Sequence, residues 1–362
     1  MTGTLAQPLD AETKGRIGRA FFGETFEMKG GLEAFQDYFD FYENELSWLK
    51  ASLPPGADQI PGIIPQTHDE LLTFALMLGD NAHRDRREAR AMLKSQMDLL
   101  NVNDWELDRS IDTTLRLWLQ INVREAGSGT SIPEVHWEDD QSLEHFLGSL
   151  FPVEEWDLGA RERRLNPQFT VANMVEICDL KISWTTSLED HLRLERWDKQ
   201  KVLWIFPHKR TLCALLAEAG SPSGRKCPIP LSVIRETIQT LDLLFPFWDQ
   251  HTKAFLKREG QTFHEIIAAP QHGRRMHLLD FPHWKVRLLD VYEEIYQSPP
   301  VSITQLWRDR RNPQLWSTFW TAVVILLLTL LCTVFAVIST IASSLQAWLA
   351  WKAWQAQLNS SV

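Results

Sequence analysis

Forty consecutive residues, Asn312 to Trp351, contain no Asp, Glu, Lys or Arg. The centre of that run, TFWTAVVILLLTLLCTVFAVISTI from Thr318 to Ile341, is almost unbrokenly apolar. As a helix rising about 1.5 Å per residue it would reach roughly 36 Å, enough to cross a hydrocarbon core of about 30 Å with some tilt. A membrane span over residues 315–342 is therefore expected in preference to a core helix. That expectation divides the chain into a polar part, a juxtamembrane linker at 298–314, the span, and a short Trp-rich tail at 343–362.

The flanks set an expected orientation. Arg308, Arg310 and Arg311 precede the span and only Lys352 follows closely, and basic flanks stay in the cytosol. The first fifteen residues, MTGTLAQPLDAETKG, hold no apolar core of a secretory signal, so entry is expected to be post-translational, as in tail-anchored proteins. The polar part is then expected in the cytosol and the tail in the lumen or outside. The long span favours endomembranes of the secretory system over the mitochondrial outer membrane. Asn359 opens the sequon Asn359-Ser360-Ser361, a candidate glycosylation site on the far side. Cys178, Cys213 and Cys227 form no C-x-x-C and Cys332 lies in the span, which suits a reducing compartment.

Tryptophans sit where interfacial anchoring would put them: Trp316 and Trp320 at the near end, Trp348, Trp351 and Trp354 beyond the far end. Anchoring is the preferred reading, recognition of a partner the alternative. The span contains no Asp, Glu, Lys, Arg or His and no Gly or Pro, so neither a proton relay nor a transport path is expected. The lipid bilayer is the first expected partner.

The polar part is acidic. The whole chain carries a net charge of −10, which argues against nucleic acid as a partner. His83, Arg87, Arg90 and Lys94 would share one helix face; interleaved with Asp85 and Glu88, it reads as a solvated face rather than a patch for anionic lipid. Leu32, Phe35, Phe39, Tyr42, Leu46 and Leu49 repeat at three and four, a seam that either packs in the core or meets a helical partner. Further helices are expected over 68–79, 84–101 and 104–124, the last opened by a capping box at Asn103 and Glu106. Leu180–Trp184 and Val202–Phe206 read as parallel strands, joined by a helical crossover near 187–196. Two more helices follow, with Ile234, Ile238, Leu241 and Phe245 and then Trp284, Leu288, Val291 and Ile295 as their apolar faces. The expected fold class is mainly α with a small α+β region, followed by a single C-terminal transmembrane helix. Residues 1–29 form an N-terminal extension, 30–129 a helical region, and 130–297 a mixed α+β region packed with it. The short linker keeps the polar part near the bilayer.

The segments ISWTTSLEDHL (Ile182–Leu192), Leu203–His208, LDRSIDTTLRLWLQINVR (Leu107–Arg124) and LWRDRRNPQLWSTFW (Leu306–Trp320) together carry a resemblance. Over most of its length the chain resembles a family of C-terminally membrane-anchored proteins of filamentous ascomycete fungi with no established function. The resemblance implies a layout and supplies no activity or site residues.

Motifs for chemistry are sparse. His191 beside Asp190 is a candidate for acid/base work, with a structural histidine the preferred reading. His264, Glu265, His272, His277 and His283 could in principle gather around a metal, but their spacings match neither HExxH nor a zinc finger. Asp139, Asp140 and Glu144 depart from DDxxD and read as an exposed acidic turn. Gly220-Ser221-Pro222-Ser223-Gly224 lacks the central serine of a nucleophile elbow, and no P-loop or GxGxxG is present. No metal or cofactor is expected. The functional expectation is a cytosol-facing interaction or recruitment module that uses the Leu32 to Leu49 seam. The alternative is an unrecognised enzyme or accessory factor acting on a membrane-soluble metabolite.

Overall fold

The computed structural model describes residues 3–51, 59–99, 101–123, 136–153, 164–178, 180–197, 200–221, 226–266, 275–296 and 313–360. It divides into two units, Met1–Gln297 and Ser298–Val362. The first is mainly helical with one three-stranded sheet; the second contains a long apolar helix.

Residues 3–29 belong to the core of the first unit rather than extending from it. Helix α1 (Ala11–Met28) starts where the Asp10 carboxylate accepts from the Thr13 N–H at 2.7 Å, and it kinks at Gly23, whose φ is 57°. Its buried face carries Ile17, Phe21, Phe22 and Phe26. After the short α2 (Gly31–Ala34), helix α3 (Gln36–Lys50) brings the heptad seam onto that face. Phe22 packs on Phe35 and Tyr38, with ring centroids 5.0 Å away in both cases. Phe35, Phe39, Tyr42 and Leu46 are each at most 1% exposed, and Leu32 and Leu49 are partly buried against the same core. The seam is thus spent inside the unit and is not available to a helical partner. Burying each such aromatic ring contributes about 1.5–3 kcal/mol, far more than a solvent-facing seam would gain alone.

Helix α4 (His68–Asp80) begins with a complete capping box between Thr67 and Glu70. Helices α5 (Arg86–Gln96) and α6 (Asp104–Leu119) pack together through charges. Arg86, 3% exposed, reaches Asp108 and Asp112 at 3.1 Å each and donates to the Trp137 carbonyl at 2.8 Å. Arg90 bridges Asp108 and Asp139, at 2.8 and 2.7 Å. Lys94 meets Asp104. Of the stripe, Arg90 and Lys94 therefore face acids of α6, while His83 and Arg87 are exposed, so the solvated-face reading holds for only half of it. Asn103 caps α6 by accepting from the Trp105 N–H rather than through the expected capping box with Glu106, and the helix stops at Leu119 because Gln120 turns left-handed at φ 55°.

Helices α7 (Leu143–Ser149) and α8 (Val171–Cys178) lead to the sheet. Strand β1 (Lys181–Trp184) runs parallel to β3 (Gln200–Ile205), and β2 (Leu194–Trp197) pairs antiparallel with β3 on its other side. The parallel pair was expected; the helical crossover was not found. Residues 188–190 make one 3-10 turn, and Leu192, at φ 61°, ends any helical continuation. The chain then pays for that turn by pairing β2 as an edge strand. Helices α9 (Lys209–Ala219), α10 (Leu231–Leu244), α11 (Gln250–Arg258) and α12 (Lys285–Tyr296) complete the unit. The expected apolar faces of α10 and α12 are buried, including Ile234, Leu241, Leu288 and Val291.

In the second unit, α13 (Pro313–Ser360) is one continuous helix of 48 residues. It contains a segment, Trp316–Ala356, long and apolar enough to cross a membrane, with none of its apolar window buried. The expected tail is thus a continuation of the span helix through Trp348, Trp351 and Trp354. Trp316 and Trp320 lie one turn apart with ring centroids at 6.1 Å, and the Lys352 ammonium sits 4.8 Å from the Trp348 ring. Asn359 falls in the last turn, while Ser361 and the arginines 308, 310 and 311 lie outside the described residues.

Candidate functional site

His191 lies at the centre of a buried polar network. The turn Leu188–Asp190 and the start of β2 hold it between the sheet and α10, fully buried. Its Nδ1 accepts from the Phe206 N–H at 3.2 Å, which fixes the proton on Nε2; that nitrogen then donates to Thr240 Oγ1 at 2.8 Å. The Thr240 hydroxyl donates to the Thr237 carbonyl at 2.7 Å, and Thr237 Oγ1 accepts from the Trp284 indole at 3.0 Å. Both ring nitrogens are occupied. Burial holds the imidazole far down, at about 3, so it stays neutral. Asp190 does not orient it; its carboxylate pairs with Arg193 at 3.2 Å. The arrangement is that of a structural histidine.

Arg287 stabilises the same turn by donating to the carbonyls of Glu189 and His191 at 2.6 and 2.7 Å. Glu189 accepts from the Asn122 N–H through Oε1. Burial pushes its carboxyl up to about 7.

The candidate histidines of the metal reading are not gathered. His264 lies in the turn Phe263–Glu265, its imidazole pKa lowered chiefly by burial, with Glu265 exposed beside it. His277 is exposed at the start of the turn Leu278–Asp280. His272 lies outside the described residues. Among the described residues no group of three or more His, Cys, Asp or Glu side chains is placed to hold a metal ion. Asp139 and Asp140 do form an exposed turn, at the edge of an open cleft of about 680 Å³ that also holds His83, Glu88, Glu138 and His145. Two further polar groups there, Asp85 and Ser142, are engaged as caps of α5 and α7.

His283 is different. Just ahead of α12, its Nδ1 lies 2.7 Å from the Phe151 carbonyl, which can only accept, so Nδ1 carries a proton. Its Nε2 lies 2.9 Å from Oγ of Ser232, an exposed residue in the first turn of α10. Glu236, one turn further along α10, accepts the His283 N–H at 2.8 Å and stands 3.8 Å from Nε2. Burial raises the Glu236 carboxyl above its ordinary range. With the proton on Nδ1, Nε2 is left to accept from the Ser232 hydroxyl, with the Glu236 carboxyl close by. Chemically this is a hydroxyl paired to a base whose tautomer is fixed by a carbonyl. Sequence reasoning named His283 for metal and missed Ser232 and Glu236. The available signal was weak: Glu236, Thr237 and Thr240 are polar yet buried with the apolar side chains of α10, but the helix carries other polar residues as well.

Comparison with known protein families, with curated proteins and with solved structures gave no match to this chain.

Proposed function

We propose that this chain is a single-pass membrane protein whose N-terminal unit faces the cytosol and acts at the bilayer surface as an interaction module, recruiting a second protein or holding it there. The observation that carries the membrane part is the placement of tryptophans on an uncovered helix. From Trp320 to Trp348 the rise is about 42 Å at about 1.5 Å per residue, the thickness of a bilayer with its headgroup regions, about 40–45 Å. The basic residues Arg308, Arg310 and Arg311 support the cytosolic orientation. A protein-binding role is supported by Trp48 and Trp197, which are 77% and 61% exposed and belong to the residue types that dominate interface energetics. An endomembrane of the secretory system is the proposed location. A glycosylation reporter fused after Val362 is expected to be modified in microsomes, with the N-terminal unit open to added protease; a protected N-terminal unit would refute the orientation. Proximity labelling from the N-terminal unit, compared with a Trp48→Ala/Trp197→Ala variant, tests recruitment: loss of the same partners supports it, and identical labelling removes those two side chains from the interface.

The Ser232–His283 pair favours a second reading, an enzyme acting on a membrane-soluble metabolite by acyl transfer. A fluorophosphonate probe that labels the full chain but not its Ser232→Ala variant would support this; equal labelling of both, or of neither, would reject it.

A further inference from the structure

Between α10 and α11 the chain makes a tight turn, Pro246-Phe247-Trp248-Asp249, closed by the Asp249 N–H donating to the Pro246 carbonyl at 3.1 Å. The Asp249 carboxylate then caps α11, accepting from the His251 and Thr252 amides and the Thr252 hydroxyl. A turn fastened at both ends has little freedom to bury its side chains elsewhere. Even so, Phe247 is 44% and Trp248 54% exposed, with their rings edge to face at 4.9 Å. Leaving two large aromatic side chains in water is costly unless something covers them.

The helix that follows indicates what covers them. Residues QHTKAFLKR of α11 include Lys253, Lys257 and Arg258 and no acid, while Thr252, Phe255 and Leu256 face the core. His251 meets Glu176 and Arg258 lies 3.6 Å from Glu259. Neither Lys253 nor Lys257 is in an ion pair among the described residues. Exposed aromatics beside a run of cations match the headgroup region of an anionic leaflet, where indole rings settle and lysines meet lipid phosphate.

We propose that the Phe247–Trp248 turn and the cationic side of α11 dock the N-terminal unit onto the anionic surface of the bilayer that holds α13. This rests on the membrane reading above, since only a tethered unit stays close enough for so small a patch to remain bound. Basic residues contribute about a fivefold factor each at such a surface, so the lysines tune what the aromatic pair begins.

The test is hydrogen exchange of the full chain reconstituted in nanodiscs of phosphatidylcholine with or without phosphatidylserine. The amides of Phe247, Trp248 and Gln250 are expected to exchange about tenfold or more slowly with phosphatidylserine, and the Phe247→Ser/Trp248→Ser variant to lose that protection. Lys253→Gln should weaken it about fivefold. Thr252, held by the Asp249 cap, reports whether each variant keeps its local structure. Equal exchange in both nanodiscs, with the chain fully incorporated, overturns the docking and leaves the anchor standing. Protection that appears only when a cytosolic protein is added overturns it in favour of a protein occupant. A chain that never enters the nanodisc overturns the anchor and the docking together.

Discussion

His191 Nε2 and Thr240 Oγ1 face each other at 2.8 Å in a site with no access to solvent, and the other ring nitrogen is occupied by the Phe206 amide. Removing the ring leaves the Phe206 N–H and the Thr240 hydroxyl short of a partner. His191→Ala is expected to cost about 3–5 kcal/mol, combining a cavity with stranded polar groups. Thr240→Val, which removes one partner of a pair, should cost about 1–3 kcal/mol. Chemical unfolding of the full chain in detergent measures both. If His191→Ala instead left stability intact and abolished a phenotype, the structural role would be wrong.

Three buried histidines make the first unit sensitive to acid. Burial is the largest cause of the depression in each, holding His191 at about 3 and His68 and His208 at about 4. Below their unfolded value of 6.5 the unfolded chain binds protons that the folded unit refuses. Stability is therefore present above pH 6.5 and is lost as pH falls, by about 1.4 kcal/mol per pH unit per histidine, down to the folded values. Glu189 has the opposite sign. Its carboxyl, raised by burial to about 7, takes a proton in the folded state first, so its contribution is present below about 4.5 and is lost as pH rises through 7. Between 4.5 and 6.5 it offsets one histidine, leaving a net loss of about 2.7 kcal/mol per unit of acidification from these four groups. Unfolding midpoints measured across that range should fall steeply, and His208→Gln should remove about 1.4 kcal/mol per pH unit from the slope.

Arg86 holds two acids of α6 and a backbone carbonyl from one buried guanidinium, 5.4 Å from the centre of the Trp137 ring. Arg86→Met leaves Asp108 with Arg90 but takes the guanidinium away from Asp112 and the Trp137 carbonyl; a loss of about 3–5 kcal/mol is expected. Arg86→Lys should rescue little, because an ammonium cannot reach three acceptors in one plane. Full rescue by lysine in a thermal unfolding series would show that charge alone is required.

Periodic features were legible in the sequence; features made by distant partners were not. The apolar runs of α4, α6, α10, α12 and α13 repeat at helical spacing, and the elements follow them. Residues 187–196 were expected to form a helical crossover between the two parallel strands. What decides that segment is the pairing of Leu194 with Leu203 and the left-handed backbone of Leu192. Helix α1 was hidden by Gly15, Gly18 and Gly23, poor helix formers that let aromatic rings and side chains approach. The burial of Arg86 depends on acids 22 and 26 residues away, and the Ser232–His283 contact spans 51 residues. No local pattern encodes either. The apolar helix α13 is the extreme opposite case, since composition alone marks a segment long and apolar enough to cross a membrane.

Two glycines of α1 separate steric from backbone causes. A Cβ at Gly18 would stand 2.4 Å from the Phe26 ring, which is 1% exposed and wedged against Phe35 and Phe39. That ring has nowhere to go, so Gly18→Ala is expected to cost about 1–3 kcal/mol by overpacking. At Gly23 the same atom would meet the Glu218 carboxylate at 2.1 to 2.2 Å, the free end of a flexible side chain. The larger obstacle there is the backbone, at φ 57° and ψ −147°, where an L-residue pays about 1–3 kcal/mol. The two causes respond differently to a second change. Phe26→Leu should recover part of the stability lost in Gly18→Ala by giving the methyl room. Glu218→Ala should recover almost none of that lost in Gly23→Ala, because trimming the carboxylate leaves φ unchanged. Double-mutant cycles on the unfolding midpoint test the contrast: coupling at Gly23 as large as at Gly18 would show that the kink is held by packing rather than by glycine's backbone freedom.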